Sequence, residues 1–199
     1  MLRVNYRGSG GYGTAFEKSG FRKWPQEMQN DLTDGVKWAI AQGIADPNRV
    51  CIFGWSYGGY SAAMSIAREP DLYRCAIAGA GVYDNKEQYR NADFADQTRW
   101  GRRYMDKVIG ETVEARRLAS PITYVDRMKT PLLLIHGEED ERVPLEHSHK
   151  LIEGFRNAGK TPPELVLLDN EGHTPRKAEN IETMHRATIT FLEKYLGKP

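Results

Sequence analysis

One serine of this chain lies in a sequence that can turn it into a nucleophile. The pentapeptide Gly54-Trp55-Ser56-Tyr57-Gly58 matches the pattern G-x-S-x-G. An apolar stretch, Val50 to Phe53, precedes it and a predicted helix, Gly59 to Arg68, follows it. A sharp strand-to-helix turn would expose the hydroxyl of Ser56 and would require glycine two residues to either side. The amide of Tyr57 is then expected to face the oxyanion of an acyl-transfer intermediate.

A serine hydroxyl needs a histidine as base, and that histidine needs a carboxylate to fix its tautomer. In this kind of turn the chain order is serine, acid, histidine. The available histidines are His136, His147, His149, His173 and His185. His173 is the predicted base, because it lies in a loop between an apolar stretch, Leu165 to Leu168, and the last predicted helix. His136, at a strand end, is expected to be a hydrogen-bonded structural residue.

The acid is expected in the loop that follows the apolar stretch Leu132 to Ile135. Four carboxylates crowd this loop: Glu138, Glu139, Asp140 and Glu141. Spacing along the chain does not distinguish among them, so the residues alone leave the choice open.

Glu146, His147 and His149 superficially resemble a metal site. Residues two apart on a helix point about 200° away from each other, so the two histidines do not easily share one ion. We therefore predict no metal, and the serine chemistry needs no cofactor.

The elements that would position these residues alternate along the chain. Short apolar runs separated by segments of helical period are typical of an α/β fold, with a mostly parallel sheet covered by helices on both faces. The predicted strands are Leu2 to Asn5, Val50 to Phe53, Cys75 to Ala80, Leu132 to Ile135 and Leu165 to Leu168. Apolar stripes predict one helix through Met28, Leu32, Val36 and Ile40 and a last helix through Met184, Ala187, Phe191, Leu192 and Tyr195.

A charged segment from about Tyr83 to Arg127 interrupts this alternation. We expect it to form an insert of helices and loops over one end of the sheet. Its aromatic residues are Tyr89, Trp100, Tyr104 and Tyr124. Either they contact a ligand at the carboxyl ends of the strands or they pack the insert against the body.

Length and charge narrow the classes of protein. A chain of 199 residues fits one domain, 1–199, and its 28 Lys and Arg nearly balance its 27 Asp and Glu. Because basic residues are scattered, we predict no nucleic-acid partner and no membrane surface. The sequence contains no apolar run of about 20 residues and no signal-peptide core, which predicts a cytoplasmic protein. Cys51 and Cys75 lie in apolar strands and are expected to be buried free thiols.

Four blocks of the sequence resemble the catalytic domain of the prolyl oligopeptidase family, which includes dipeptidyl and acylaminoacyl peptidases. They are residues 5–13, 54–60, 136–144 and 171–173. In that family the acid occupies the fifth position of the His-Gly-x-x-Asp block, so the resemblance selects Asp140. The residue two positions further contacts the substrate's backbone carbonyl in some members, which suggests that role for Arg142. An exposed ion pair of Arg142 with Glu139 or Glu141 is the alternative.

The resemblance implies an α/β-hydrolase fold and a cofactor-free serine hydrolase that cleaves peptide bonds of short peptides through an acyl-enzyme. Ser56 would be the nucleophile, His173 the base and Asp140 the orienting acid. One alternative is a carboxylesterase of the same fold, which would take a small ester. A second alternative is a catalytically incomplete fragment or assembly module.

The chain also departs from the family pattern. Family members carry an N-terminal propeller or other domain, followed by early strands and a loop with a second oxyanion donor. This sequence opens at what resembles the fourth strand, so we expect the Val50 to Phe53 strand to have an unpaired edge. We expect the chain to be a fragment, an incomplete gene product, or a subunit whose edge another chain, such as a second copy, covers. Loss of one oxyanion donor typically costs about 10² to 10³ in turnover.

Overall fold

Four parallel strands form the sheet at the centre of the protein. The structure is a computed structural model that describes residues 1–93 and 99–197, without the side chain of Arg99. The strands are β1 (Cys51–Trp55), β2 (Cys75–Gly79), β3 (Leu132–Gly137) and β4 (Glu164–Leu168), in the order β1-β2-β3-β4. All three pairings are parallel, so the carboxyl ends of the strands share one edge of the sheet. The last four predicted strands are thereby confirmed.

Alternate residues of the two inner strands divide the core into two layers. On one face, Ala76, Ala78, Leu132 and Leu134 pack against α3 (Tyr57–Arg68) and α7 (Glu146–Asn157). On the other face, Cys75, Ile77, Leu133 and Ile135 pack with Phe191 of α8 (Ala178–Leu196). The helices therefore cover both faces, as the near-continuous apolar strands predicted.

The remaining helices precede β1 or lie in the insert between β2 and β3. They are α1 (Thr14–Lys18), α2 (Glu27–Ala41), α4 (Asn85–Asn91), α5 (Arg99–Val108), α6 (Val113–Leu118) and a 3-10 helix (Pro121–Arg127). Side-chain caps begin two of the insert helices: Asp84 accepts from the Lys86 amide and Thr112 from the Ala115 amide. The predicted insert is thus helical, except that residues 94–98 lie outside the described residues. In the described part of the chain, no helix has the length and apolar character needed to span a membrane.

The predicted strand at Leu2 to Asn5 is wrong. In the described chain these residues have no regular secondary structure and are not part of the sheet. Val4 instead lies over Gly35 of α2, where a built Cβ would approach Val4 Cγ2 to 2.7 Å. Apolar packing on a helix has replaced strand pairing, because a strand requires a hydrogen-bonded neighbour.

β1 is an edge strand of the described sheet, as the departure from the family pattern predicted. It pairs with β2 on one side, and Phe53 in its middle is 50% exposed. The unpaired backbone groups of an edge strand can pair with another chain, and exposed apolar side chains favour such pairing. A large apolar side chain is therefore uncommon on an exposed edge strand.

The prediction of free thiols is wrong, because Cys51 and Cys75 form a disulfide. The two residues are register partners on β1 and β2, with their Cα atoms 4.7 Å apart. That separation lies within the range a disulfide spans. The bond links the edge strand covalently to the interior of the sheet. The apolar surroundings indicated burial, but the register that places one cysteine beside the other arises only when the sheet forms.

Reduction of this disulfide is expected to destabilise the fold. Because the bond closes a loop with a sequence separation of 24 residues, its loss should lower the free energy of unfolding by about 2 to 4 kcal/mol. Urea unfolding with and without a reductant measures the difference. A Cys51→Ala/Cys75→Ala variant is the control, and its stability should not respond to the reductant. Two free thiols in the denatured, unreduced protein would contradict the assignment.

Candidate active site

Ser56 lies at the turn between β1 and α3 in a strained backbone conformation. Its φ of 57° and ψ of −117° are unusual for a residue with a side chain and cost about 1 to 3 kcal/mol. Two backbone hydrogen bonds hold it there. The Ser56 amide donates to the Gly79 carbonyl at 2.8 Å, and the Tyr60 amide donates to the Ser56 carbonyl at 3.0 Å. The end of β2 and the first turn of α3 therefore fix the serine between them.

The requirement for glycine is confirmed on one side of Ser56 and wrong on the other. A Cβ at Gly54 would lie 2.2 Å from the Gly58 carbonyl oxygen, a distance that no side chain tolerates. A Cβ at Gly58 would meet nothing within 4 Å, because it points away from the turn. The next residue is the second restricted position, since a Cβ at Gly59 would lie 2.4 Å from the Gly79 carbonyl oxygen.

The structure brings together the three side chains that the sequence singled out. Ser56 follows β1, Asp140 follows β3 and His173 follows β4, all at the carboxyl edge of the sheet. The distance from Ser56 Oγ to His173 Nε2 is 2.8 Å, and the distance from His173 Nδ1 to Asp140 Oδ2 is also 2.8 Å. The other three carboxylates of the loop are exposed: Glu138, Glu139 and Glu141. Asp140 is thus the carboxylate of this loop that is hydrogen-bonded to the imidazole of His173.

Asp140 keeps its negative charge in a fully buried side chain. Its Oδ1 atom accepts a hydrogen bond from the Val143 amide at 2.9 Å, and His136 Nε2 lies 3.5 Å from Oδ2. Burial raises the pKa of Asp140, but the nearby Nε2 of His136 and the hydrogen bonds from His173 and Val143 outweigh it and hold the pKa well below its usual range. The carboxylate is therefore ionised at neutral pH and accepts a hydrogen bond from the Nδ1–H group of His173.

Contacts between loops fix the position of His173. The Glu139 amide donates to the Glu171 carbonyl at 2.9 Å, and a Cβ at Gly137 would lie 2.4 Å from that same oxygen. From the other side, Trp55 Nε1 donates to the His173 carbonyl at 2.8 Å. This role of Trp55 was not predicted, because its partner lies 118 residues away and only the fold brings the two together.

Two of the other histidines, His136 and His147, are buried and hydrogen-bonded within the protein. His136 is fully buried and lies 2.8 Å from both Ser148 Oγ and the Val143 carbonyl, which confirms it as a hydrogen-bonded residue. His147 is also buried, and its Nδ1 accepts from the Tyr83 and Asp84 amides at 3.2 Å each.

Burial lowers the pKa of His147 to about 3, so this imidazole is neutral. The His149 side chain is 53% exposed on another face of α7. Within residues 1–93 and 99–197, no group of three His, Cys, Asp or Glu side chains is arranged to hold a metal.

Arg142 lies just beyond the acid, with its side chain 52% exposed. Its Nε atom forms an ion pair with Asp93 at 3.2 Å, so the partner is in the insert and is not one of the two glutamates that the sequence suggested. Gln88 of α4 donates to the Arg142 carbonyl at 2.9 Å, and the Asp93 amide donates to the Glu141 carbonyl at 3.0 Å. The loop that carries Asp140, residues 138–143 (the acid loop), and the insert are therefore hydrogen-bonded to each other.

The aromatic residues of the insert divide into two groups. Tyr89 and Tyr124 pack within the protein: Arg116 lies 3.5 Å from the Tyr89 ring centre, and the Tyr124 hydroxyl donates to the Leu118 carbonyl. Trp100 and Tyr104 stack on each other at 5.7 Å and are 73% and 44% exposed. Packing thus explains the first pair, and ligand contact remains a prediction for the second.

A parallel sheet with helices on both faces, and with serine, acid and histidine in that chain order after β1, β3 and β4, defines an α/β-hydrolase fold. The chain belongs to the prolyl oligopeptidase family, whose family model matches residues 1–199. The predicted resemblance is thereby confirmed.

Curated relatives of this chain carry the names of peptidases. The chain is 32% identical to dipeptidyl aminopeptidase BIII of Pseudoxanthomonas mexicana, over 99% of this chain and 29% of that protein. It is 28% identical to the acylamino-acid-releasing enzyme of Arabidopsis thaliana, over 96% of this chain and 26% of that protein.

Solved structures give the same result. A puromycin-hydrolyzing peptidase of Mycobacterium tuberculosis matches with a TM-score of 0.89 at 28% identity, over 98% of this chain and 29% of that one. An acylaminoacyl peptidase of Pyrococcus horikoshii matches with a TM-score of 0.88 at 27% identity, over 98% of this chain and 32% of that one. The chain thus spans about a quarter to a third of the length of these relatives.

The two glycines that flank the serine should respond differently to substitution. Gly54→Ala would force a Cβ into the Gly58 carbonyl, so we expect it to displace Ser56 and to abolish reaction with a serine-directed probe. Gly58→Ala is the matched control and should retain reactivity and stability, because its Cβ enters open space at a helical position. Equal effects of the two substitutions on probe reactivity would contradict this account of the turn.

Proposed function

We propose that this chain is the catalytic part of a serine peptidase that cleaves peptide bonds of short peptides through an acyl-enzyme. The observation that carries the proposal is the continuous hydrogen-bonded chain from Ser56 through His173 to Asp140, with both distances at 2.8 Å. Membership of a peptidase family supports the choice of a peptide bond. Because the chain spans only part of its relatives, the substrate of the whole protein is part of the proposal.

The first half-reaction forms an ester on the serine. Ser56 Oγ attacks the carbonyl carbon of the scissile bond while His173 Nε2 takes its proton, and Asp140 stabilises the resulting imidazolium. The oxyanion faces the start of α3, where first-turn amides have no partner within the helix. We assign the Tyr57 amide to this oxyanion, aided by the dipole of α3. The imidazolium then gives its proton to the leaving amine as the carbon–nitrogen bond breaks.

The second half-reaction restores the enzyme. Water gives a proton to His173 Nε2 and attacks the acyl carbon, and the tetrahedral intermediate collapses to release the carboxylic acid. The proton returns from His173 to Ser56 Oγ. The side chain of His173 is 25% exposed and that of Asp140 is fully buried, so water can reach the base without solvating the acid.

Arg142 is proposed to bind the substrate's backbone carbonyl. Its position two residues beyond the acid and its half-exposed side chain support this role. The ion pair with Asp93 would hold the guanidinium at the rim of the site. A guanidinium presents several donors in a fixed plane, so pairing through Nε is compatible with donation to a carbonyl from the terminal nitrogens.

A fluorophosphonate probe tests the nucleophile. We expect one adduct, mapped by mass spectrometry to Ser56, because the His173 base activates this hydroxyl. Ser56→Ala should remove the adduct, and His173→Ala should slow labelling by at least about 10⁴-fold. Ser65→Ala, which removes another buried serine hydroxyl, is the matched control. A folded, unlabelled wild-type chain would contradict the proposal for this chain.

Turnover of substrates with different scissile bonds then distinguishes a peptidase activity from an esterase activity. The panel compares dipeptidyl and acylaminoacyl anilides with a short-chain nitrophenyl ester. Anilide turnover that depends on Ser56 supports the peptidase. Turnover of the ester alone would favour the carboxylesterase.

Substitution of Arg142 should affect substrate binding more than chemistry. We expect Arg142→Ala to raise KM for the best anilide by about tenfold with kcat within about twofold, because a contact present in both ground and transition states is lost. Arg186→Ala, on the outer face of α8 with its side chain 75% exposed, is the matched control. An unchanged KM, or a loss confined to kcat, would rule out this role.

A further inference from the structure

We propose that Ser148 and His136 are positioning residues that act through Asp140. In this proposal, which rests on the proposed function, the Ser148 hydroxyl donates a hydrogen bond to Nδ1 of His136 and holds the imidazole ring in place. The Nε2–H group of His136 then holds the acid loop so that its carboxylate faces His173. Neither residue touches the reacting atoms.

The hydrogen bonds of His136 define its tautomer. The Val143 carbonyl can only accept, so the nitrogen 2.8 Å from it, Nε2, must carry hydrogen. The Nδ1 atom of a neutral imidazole is then an acceptor, and it lies 2.8 Å from the hydroxyl of Ser148 on α7. The opposite tautomer would place a lone pair against the Val143 carbonyl and near Asp140 Oδ2, which is 3.5 Å away. The Val143 carbonyl and Asp140 therefore set the tautomer of His136, and the Ser148 hydroxyl, which can donate or accept, donates to Nδ1 and holds the ring in place.

Val143 transmits the position of His136 to the acid. Its carbonyl accepts from His136, and its amide donates to Asp140 Oδ1 at 2.9 Å. The Val143 side chain is 2% exposed and packs with Tyr60 and Met64 of α3, so this residue has little freedom to move. Displacement of His136 would therefore displace a direct hydrogen-bond donor of the acid.

Burial of His136, Ser148 and Asp140 strengthens the hydrogen bonds that hold the acid. His136 and Ser148 are each 0% exposed, and the Asp140 side chain is likewise fully buried. Water does not compete there, so a buried donor without its partner carries the full cost of desolvation. The Nε2 atom of His136, 3.5 Å from Asp140 Oδ2, also contributes to the lowered pKa of Asp140. Ser148 and Asp140 each hold an imidazole at Nδ1, but Asp140 accepts from His173 whereas Ser148 donates to His136.

The first test measures the tautomer directly and requires no activity. The ¹⁵N resonances of the His136 imidazole should show hydrogen on Nε2 and an accepting Nδ1. A His136→Gln variant assigns these signals. Hydrogen on Nδ1, or on both nitrogens, would overturn the proposal. In Ser148→Ala, Nε2 should keep its hydrogen because the Val143 carbonyl still accepts from it, while the ¹⁵N resonance of Nδ1 and the Hδ1 resonance of His173 should shift.

The second test asks whether the pair acts through the acid. Ser148→Ala should slow fluorophosphonate labelling by about tenfold, the rate equivalent of one hydrogen bond. In an Asp140→Asn background the same substitution should change the rate by less than about twofold, because the carboxylate that it positions is already gone. A merely structural role would give the same loss in both backgrounds and would overturn the proposal.

Two further variants complete the test. His136→Gln places an amide donor near the position of Nε2 and should retain more reactivity than His136→Leu, which has no donor. Ser65→Ala controls for loss of a buried hydroxyl and should leave the rate unchanged in both backgrounds.

The experiments distinguish failure of the proposed function from failure of the positioning role of Ser148 and His136. If the wild-type chain does not react with the probe, the proposed function fails for this chain, and the tautomer of His136 still decides the present inference. If Ser148→Ala does not fold, the wild-type tautomer and the comparison of His136→Gln with His136→Leu take its place. Equal reactivity of those two variants would overturn the proposal.

Discussion

The parallel pairing of four strands is the constraint from which the site follows. Because all four strands run in one direction, their carboxyl ends share one edge, and Ser56, Asp140 and His173 meet there although 117 residues separate the first from the last. The two apolar layers that cover the sheet bury the inner strands completely, so a shift in register would expose apolar side chains and is strongly disfavoured. The stability of the sheet and the alignment of the site thus have the same origin.

The strained backbone conformation of Ser56 is held by the hydrogen bonds around it. Ser56 adopts an unfavourable conformation, and hydrogen bonds from its amide to Gly79 and from Tyr60 to its carbonyl hold it in place. Around the acid, the polar groups of Asp140 and His136 are paired in a space that excludes water. The geometry is therefore fixed before any substrate arrives, which is what electrostatic stabilisation of a transition state requires.

The parts of the structure that local patterns encode were predictable from the sequence. Continuous apolar runs located β1 to β4, and the strand-to-helix context located the turn at Ser56. The choice of Asp140 among four neighbouring carboxylates came from the family resemblance, because spacing does not distinguish side chains in one loop. The disulfide and the contact of Trp55 with the His173 loop were missed, since both depend on register between distant segments. The segment Leu2 to Asn5 has the composition of a strand but no strand to pair with among the described residues.

The hydrogen bonds between the insert and the acid loop limit how independently these two segments can change during evolution. Gln88 and the Asp93 amide supply donors to the carbonyls of Arg142 and Glu141, and Lys150 of α7 pairs with Glu87 of α4. Replacement of the insert by that of a relative would leave these acceptors and this cation without partners. Residues 84–93 and the loop 138–143 are therefore expected to be inherited as one module. A chimera designed to borrow a new pocket must exchange both segments together.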